Sequence, residues 1–147
     1  MATIIIYTDG SCINQIGGYA CLSPNADGTY LGDYGRVPYN PCTNNIAELY
    51  AVYKAIELFS DDDLEIYTDS KYVIGCLTLW YPNWIKNNWK TANKKPVLNS
   101  DLIKTILRLI DSNPGRKISF HHIQAHKGHI HNENADTYAN MGRLQLT

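Results

Sequence analysis

Residues 3–11 read Thr3-Ile4-Ile5-Ile6-Tyr7-Thr8-Asp9-Gly10-Ser11, and residues 64–70 read Leu64-Glu65-Ile66-Tyr67-Thr68-Asp69-Ser70. Each is a short run rich in β-branched and aromatic residues that closes on Tyr-Thr-Asp and a small residue. Such runs are strands buried in a sheet, and Asp followed by Gly or Ser marks where the strand gives way to a turn. If both strands are central and parallel, Asp9 and Asp69 emerge side by side at their C-terminal ends, the edge at which open α/β sheets bind ligands. Two ordinary strand-terminating acids would read the same way, so the pair needs support from elsewhere in the chain.

Working outward, Gly18–Ser23 and Thr29–Val37 predict two more strands, joined by the turn Pro24-Asn25-Ala26-Asp27-Gly28. Pro38 and Pro41 interrupt, and Thr43 or Asn44 can cap a helix running to about Phe59. The run Asp61-Asp62-Asp63 reads as a solvated turn. Beyond Leu64–Thr68, Ser70–Leu79 and Trp80–Lys86 read as helical, broken by Pro82. Ser100 is the expected cap for Asp101–Ile110, Lys117–His122 reads as a fifth strand, and Asn132–Met141 reads as a closing helix. Strands in a meander pair antiparallel, while strands reached through a helix add in parallel. The expected fold is therefore α/β: a mixed five-stranded sheet, three strands antiparallel plus two parallel, flanked by helices, in one domain spanning residues 1–147.

The composition agrees. The chain has 147 residues, 44% hydrophobic and 18% charged, enough to bury a core and too apolar for a disordered tail. No apolar run approaches the roughly 20 residues that span a bilayer, so no membrane partner is expected. The start, Met1-Ala2-Thr3, lacks a basic leader, so no secretion signal is expected. Cys12, Cys21, Cys42 and Cys76 show no Cys-x-x-Cys spacing and read as reduced thiols of a cytoplasmic or nuclear monomer. The net charge of −1 conceals a division: residues 1–70 hold two basic side chains against ten acidic ones, and residues 71–120 hold nine against two. A chain so divided can hold a cation in one place and a polyanion in another.

Two further acids stand out. Glu48 shares a helical stripe with Val52, Ala55 and Phe59, where a carboxylate is costly unless paired or bound to metal. Asp136 begins the last helix, where the macrodipole alone would also favour an acid. Four converging carboxylates with no basic partner repel one another and call for cations. Oxygen-only ligands favour Mg²⁺ or Mn²⁺ over zinc. Two such ions about 4 Å apart suit in-line displacement at a phosphodiester. In the basic half, Trp80, Trp84 and Trp89 interleave with Lys86, Lys90, Lys94 and Lys95. They read either as core aromatics or as a surface that packs on sugar and attracts phosphate.

Four motifs now stand in order: Thr8-Asp9-Gly10-Ser11, Thr43-Asn44-Asn45-Ile46-Ala47-Glu48-Leu49, Thr68-Asp69-Ser70, and His126 through Asp136. In their order and spacing the chain resembles the type 1 ribonuclease H family over nearly its whole length. The resemblance implies a ribonuclease H-like fold and endonucleolytic cleavage of the RNA strand of RNA–DNA hybrids, leaving 5′-phosphate and 3′-hydroxyl ends. It implies two Mg²⁺ ions, for which Mn²⁺ can substitute. Asp9 would bridge them, Asp136 would complete one site, and Glu48 and Asp69 the other. His126 would assist proton transfer or product release, a role suited to an imidazole. The segment at about 80–96, with its Trp and Lys residues, would be the handle that grips DNA, with no separate hybrid-binding domain. Thr43 and Asn99 would hold a DNA phosphate, and Asn44 and Asn14 would read 2′-hydroxyls. An inactive hybrid-binding module and a DNA nuclease of the same fold are the alternatives. Three departures from the family pattern bear on affinity. Pro41 stands at the position of a phosphate-pocket arginine, the loop Ile13–Ile16 is about two residues short, and Ile85-Lys86-Asn87-Asn88 carries one charge. Each lost phosphate contact lowers the salt slope by roughly 0.9, so weaker and less salt-sensitive hybrid binding than in a relative with a full basic handle is expected.

Overall fold

The computed structural model describes residues 3–125 and 127–145. Five strands, β1 (Thr3–Ile13), β2 (Ile16–Pro24), β3 (Tyr30–Arg36), β4 (Asp63–Thr68) and β5 (Ile118–His122), form one sheet in the order β3-β2-β1-β4-β5. β1 pairs antiparallel with β2, and β2 with β3. β1 pairs parallel with β4, and β4 with β5. This is the mixed sheet expected from the order of elements.

β1 does not stop at Thr8. It runs through Asp9-Gly10-Ser11 because β2 continues to bond its backbone, with Asp9 opposite Ala20 and Ser11 opposite Gly18. The chain reverses at Asn14-Gln15, both with positive φ (53° and 66°), a two-residue turn whose twist matches the flanking strands. The parallel ladder to β4 ends earlier, at Tyr7 opposite Tyr67. Asp9 is thus a mid-strand residue lying just past the last parallel rung.

The helices are α1 (Asn44–Leu58), α2 (Lys71–Ile74), α3 (Tyr81–Lys86), α4 (Ser100–Asp111) and α5 (Ile130–Arg143), with a π-helical stretch Gly75–Trp80 between α2 and α3. Thr43 caps α1, its hydroxyl oxygen accepting from the Ile46 N–H at 3.1 Å. The path from Lys71 to Lys86 stays helical rather than breaking at Pro82. The wide turn precedes the proline, which sits in the first turn of α3, where a missing N–H goes unmissed. Ser100 is the first residue of α4 rather than its cap. The cap position belongs to Asn99, in the left-handed conformation at φ 62° that asparagine tolerates.

α1 covers one face of the sheet and is itself covered by α4. Between them lies the main core, built on Ile6, Leu64 and Ile66 from the strands, Leu49, Val52 and Ile56 from α1, and Ile103 and Ile106 from α4. Arg116, buried beside this core, donates to the carbonyls of Ile56 (2.9 Å), Phe59 (2.6 Å) and Asp62 (2.8 Å), satisfying the open C-terminal end of α1. The Asp61–Asp63 run is therefore not simply a solvated turn. Asp63 begins β4, and its carboxylate accepts from the Lys117 N–H at 2.8 Å.

α5 crosses the opposite face over β1, β2 and β3. It packs nearly backbone to backbone: a Cβ on Gly18 would lie 2.1 Å from the Ala139 carbonyl oxygen, and one on Gly142 2.3 Å from that of Gly35. The Ser11 hydroxyl donates to Asn140 Oδ1 at 2.6 Å and accepts from Arg143 Nε at 3.2 Å, fixing the helix along β1. Among the described residues no helix is long and apolar enough to cross a membrane. Gly18→Ala forces this contact apart and is expected to destabilise the fold by about 1–3 kcal/mol. Urea denaturation reads this as a lowered midpoint, and an unchanged midpoint would contradict the seating of α5 described above.

Candidate active site

The β1–β4 register sets the site. Tyr7 faces Tyr67 across the last rung. Two residues on come Asp9, still within β1, and Asp69, just past the end of β4. α1 delivers the third acid from the other side of the sheet. A Cβ on Gly10 would lie 2.4 Å from both the Ala47 carbonyl carbon and the Glu48 nitrogen, so only glycine lets α1 come this close to β1. The Gly10 N–H then donates to Glu48 Oε1 at 2.8 Å. Carboxylate oxygens of Asp9, Glu48 and Asp69 all lie within 4.8 Å of one another. Asp136, in α5, stands within hydrogen-bond reach of Asp9. The four acids singled out in the sequence thus meet as a trio with Asp136 adjoining Asp9.

The cluster is electrostatically uncompensated. Asp9 is 4% exposed, and burial, the Asp69 charge and the hydrogen bond and charge of Asp136 push its carboxyl up to about 9, against one lowering contact from the Gly10 N–H. Burial, then the charges of Asp9 and Asp69, raise Glu48 well above the ordinary carboxylate range. No cation among the described residues contributes to either group.

Sequence reasoning missed the residues that hold this arrangement. Asn132 is 3% exposed, one turn before Asp136, and its amide reaches Asp69 Oδ2 in a long contact of 3.5 Å. A polar side chain four residues ahead of a candidate ligand, on the same helix face, was the available signal. The Tyr30 hydroxyl accepts from Asn134 Nδ2 at 2.7 Å and contacts His131 Nδ1 at 2.8 Å, tying the first turn of α5 to β3. Beside the acids, Tyr7 stacks on Tyr67 (5.1 Å between centroids) and Tyr67 on His121 (4.6 Å). His126 lies outside the described residues.

The expected nucleic-acid contacts fall into separate groups. The Cys42 N–H donates to the Gln15 carbonyl at 2.9 Å, so exposed Asn14 lies next to exposed Thr43 and Asn44 at the N-terminus of α1. Asn99 is elsewhere, its amide donating to the Tyr72 hydroxyl at 2.9 Å. The tryptophans answer to both readings offered by the sequence. Trp84 and Trp89 pack against the main core, while Trp80 is 39% exposed. They form one chain, 6.0 Å from Trp80 to Trp84 and 5.8 Å from Trp84 to Trp89. Lys86, Lys90, Lys94 and Lys95 are all exposed around it, and Lys104 Nζ sits 5.0 Å over the Trp89 ring.

The model of the RNase H family matches residues 1–143. The chain is 40% identical to a ribonuclease H of Ruthia magnifica subsp. Calyptogena magnifica, covering all of this chain and 99% of that protein. It is 38% identical to a ribonuclease H of Orientia tsutsugamushi, over 95% and 82% of the two chains. Among solved structures it is similar to the PFV RNase H domain (26% identity, TM-score 0.72, 95% and 93% covered). LC9-RNase H1, a type 1 RNase H with the type 2 active-site motif, shares the fold (20% identity, TM-score 0.77, 97% and 72% covered).

The acid cluster makes the metal-free protein pH-sensitive with a definite sign. Asp9 and Glu48 keep their protons in the folded chain at pH values where the unfolded chain has lost them. Stability is therefore highest below about pH 4 as far as these groups are concerned, and falls as pH rises toward about 9. In chelator, Asp9→Asn is expected to raise Tm at pH 8 by about 3 °C and to flatten this fall. A lowered Tm for the variant at pH 8 would show that the cluster is not held against repulsion.

Proposed function

The chain belongs to the RNase H family, and on that premise we propose that it is an endonuclease hydrolysing the RNA strand of RNA–DNA hybrids by two-metal-ion catalysis, leaving 5′-phosphate and 3′-hydroxyl ends. The observation that carries the reading is the trio Asp9, Glu48 and Asp69, with oxygens within 4.8 Å of one another, in which burial and the neighbouring acids raise the proton affinities of Asp9 and Glu48. Those donors suit a hard divalent cation: all are carboxylate oxygens, none has a cationic partner among the described residues, and the set lacks the Cys and His that favour zinc. Mg²⁺ is the cation we assign, with Mn²⁺ able to replace it.

Asp9 would belong to both halves of the site, since it groups with Glu48 and Asp69 and also lies within hydrogen-bond reach of Asp136. Bound divalent cations supply the activation of water and the stabilisation of the leaving oxygen at the scissile phosphate. The protein's part is to fix the oxygens. The Gly10 N–H orients Glu48, Asn132 orients Asp69, and the Tyr30–Asn134 bond sets the start of the helix that carries Asp136. His126, ten residues before Asp136, moves a proton or eases product release. On the nucleic acid, Asn14 and Asn44 contact 2′-hydroxyls beside the cap residue Thr43. Thr43 and Asn99 hold DNA phosphate, and the segment 80–96 packs Trp80, Trp84 and Trp89 with Lys86, Lys90, Lys94 and Lys95 along the DNA strand. A protein that needs 2′-hydroxyls on one strand and deoxyribose on the other selects a hybrid over either pure duplex. We read the chain as one catalytic domain acting as a monomer in the cytoplasm, where thiols such as its four cysteines are held reduced.

An end-labelled RNA strand presented alone, against RNA and against DNA, with Mg²⁺ or with EDTA, tests this. Cleavage is expected only in the hybrid and only with metal. Asp9→Asn should lose about 10³-fold or more of the rate while still binding hybrid, and His126→Ala should slow turnover without abolishing it. An intact Asp9→Asn rate would refute the metal assignment. Hybrid binding without cleavage by the unaltered protein would instead identify an inactive binding module.

A further inference from the structure

Two cysteines that the proposed reaction does not use meet beside the N-terminus of α1. The Cys12 thiol, near the end of β1, donates to the Cys42 carbonyl at 3.2 Å and lies within hydrogen-bond reach of the Cys42 thiol. The sheet explains the meeting. Cys12 pairs with Gly17 across the β1–β2 ladder, at the short Cα separation of an antiparallel rung. The missing side chain of Gly17 leaves the space that Cys42 Sγ occupies, since a Cβ there would lie 2.5 Å from that sulfur. The Cys42 N–H, bonded to Gln15 across the hairpin turn, holds the second backbone in place. Cys12 is partly exposed and Cys42 is buried at 2%, so one thiol can meet a small oxidant and the other waits behind it. Cys21 and Cys76 are both buried in the main core, away from this pair.

We propose that Cys12 and Cys42 form an oxidation site, closing reversibly to a disulfide in the presence of a peroxide. The Cys12 thiolate attacks one peroxide oxygen, the O–O bond breaks and hydroxide leaves, giving a sulfenic acid on Cys12. The Cys42 sulfur, losing its proton, attacks the Cys12 sulfur, the S–O bond breaks and water leaves. Two thiols are oxidised by two electrons, and one peroxide is reduced to two waters once the protons are counted. Burial pushes the Cys42 thiol up to about 11, in keeping with a resolving rather than an attacking role. The bond would tie the end of β1 to the residue preceding the Thr43 cap, locking the Asn14–Gln15 turn against the start of α1. A thiol-reducing compartment would return the pair to its open state after a pulse of oxidant.

The test uses the full chain, reduced and then exposed to hydrogen peroxide, denatured in alkylating agent and mapped by peptide mass spectrometry. The expected result is a fall from four titratable thiols to two and a linked peptide joining Cys12 to Cys42. Cys21 and Cys76 should be alkylated, and dithiothreitol should restore all four thiols. The oxidised protein should also melt higher than the reduced one, a difference that Cys12→Ser abolishes. Because Cys12 is partly exposed, that variant keeps the measurement interpretable should Cys42→Ser fail to fold. Cys12 found as sulfinic acid with Cys42 alkylated, or any other linked pair, would overturn the proposal. None of these readouts depends on hydrolysis, so the outcome is separate from that of the activity assay.

Discussion

Mutual repulsion among carboxylates is the constraint to which the rest of this structure is fitted. At separations below 5 Å in a partly buried site, like charges interact by several kcal/mol, and burial together with that repulsion raises the proton affinities of Asp9 and Glu48. Three independent pieces of architecture hold the acids together against it. The parallel register of β1 and β4 sets Asp9 beside Asp69. The bare Cα of Gly10 admits α1 and with it Glu48. The glycine-lined contact of α5 with β2 and β3 brings Asp136 to the flank of Asp9. Repulsion concentrated in this way is what a divalent cation relieves, so the strain in the metal-free site and its affinity for metal share one cause.

The charge division along the chain has a structural counterpart. The acids converge where the sheet ends, while the exposed lysines gather on the segment after α3, around a chain of tryptophans. Those tryptophans serve two purposes. Trp84 and Trp89 seat the segment on the main core, and Trp80, packed over Gly75 where the helix widens into its π turn, remains accessible. A basic protrusion without such an anchor would hold its charges in no fixed relation to the acids. Acid cluster and lysine-rich surface are thereby carried on one core.

Much of this was legible in the sequence, for physical reasons. The repeated Tyr-Thr-Asp endings implied two central strands with adjacent acids. The apolar stripe containing Glu48 marked a carboxylate out of place, and strand order followed from which strands are separated by a helix. What could not be read depends on partners distant in sequence. Asp9-Gly10-Ser11 has turn composition, yet β2 supplies the bonds that keep it extended. Asp61–Asp63 looks solvated until Arg116 and Lys117 return to it. Asn99 takes the cap position of α4 by a left-handed backbone that Ser100 does not need. The spacing of Asn132 from Asp136 hinted at a place in the site, but its partner Asp69 is a contact that only the fold supplies. Local pattern specifies elements, and tertiary contact decides where they end and what they support.

The proposed reaction requires that Asp9, Glu48 and Asp69 bind divalent metal, with Asp136 completing a second position beside Asp9. Anomalous diffraction from crystals soaked in Mn²⁺ measures this directly. A strong peak bounded by Asp9, Glu48 and Asp69, lost on addition of chelator, is expected, with a second peak between Asp9 and Asp136 when hybrid is bound. Crystals saturated with Mn²⁺ that show no peak at the trio, with its carboxylates unmoved, would contradict it.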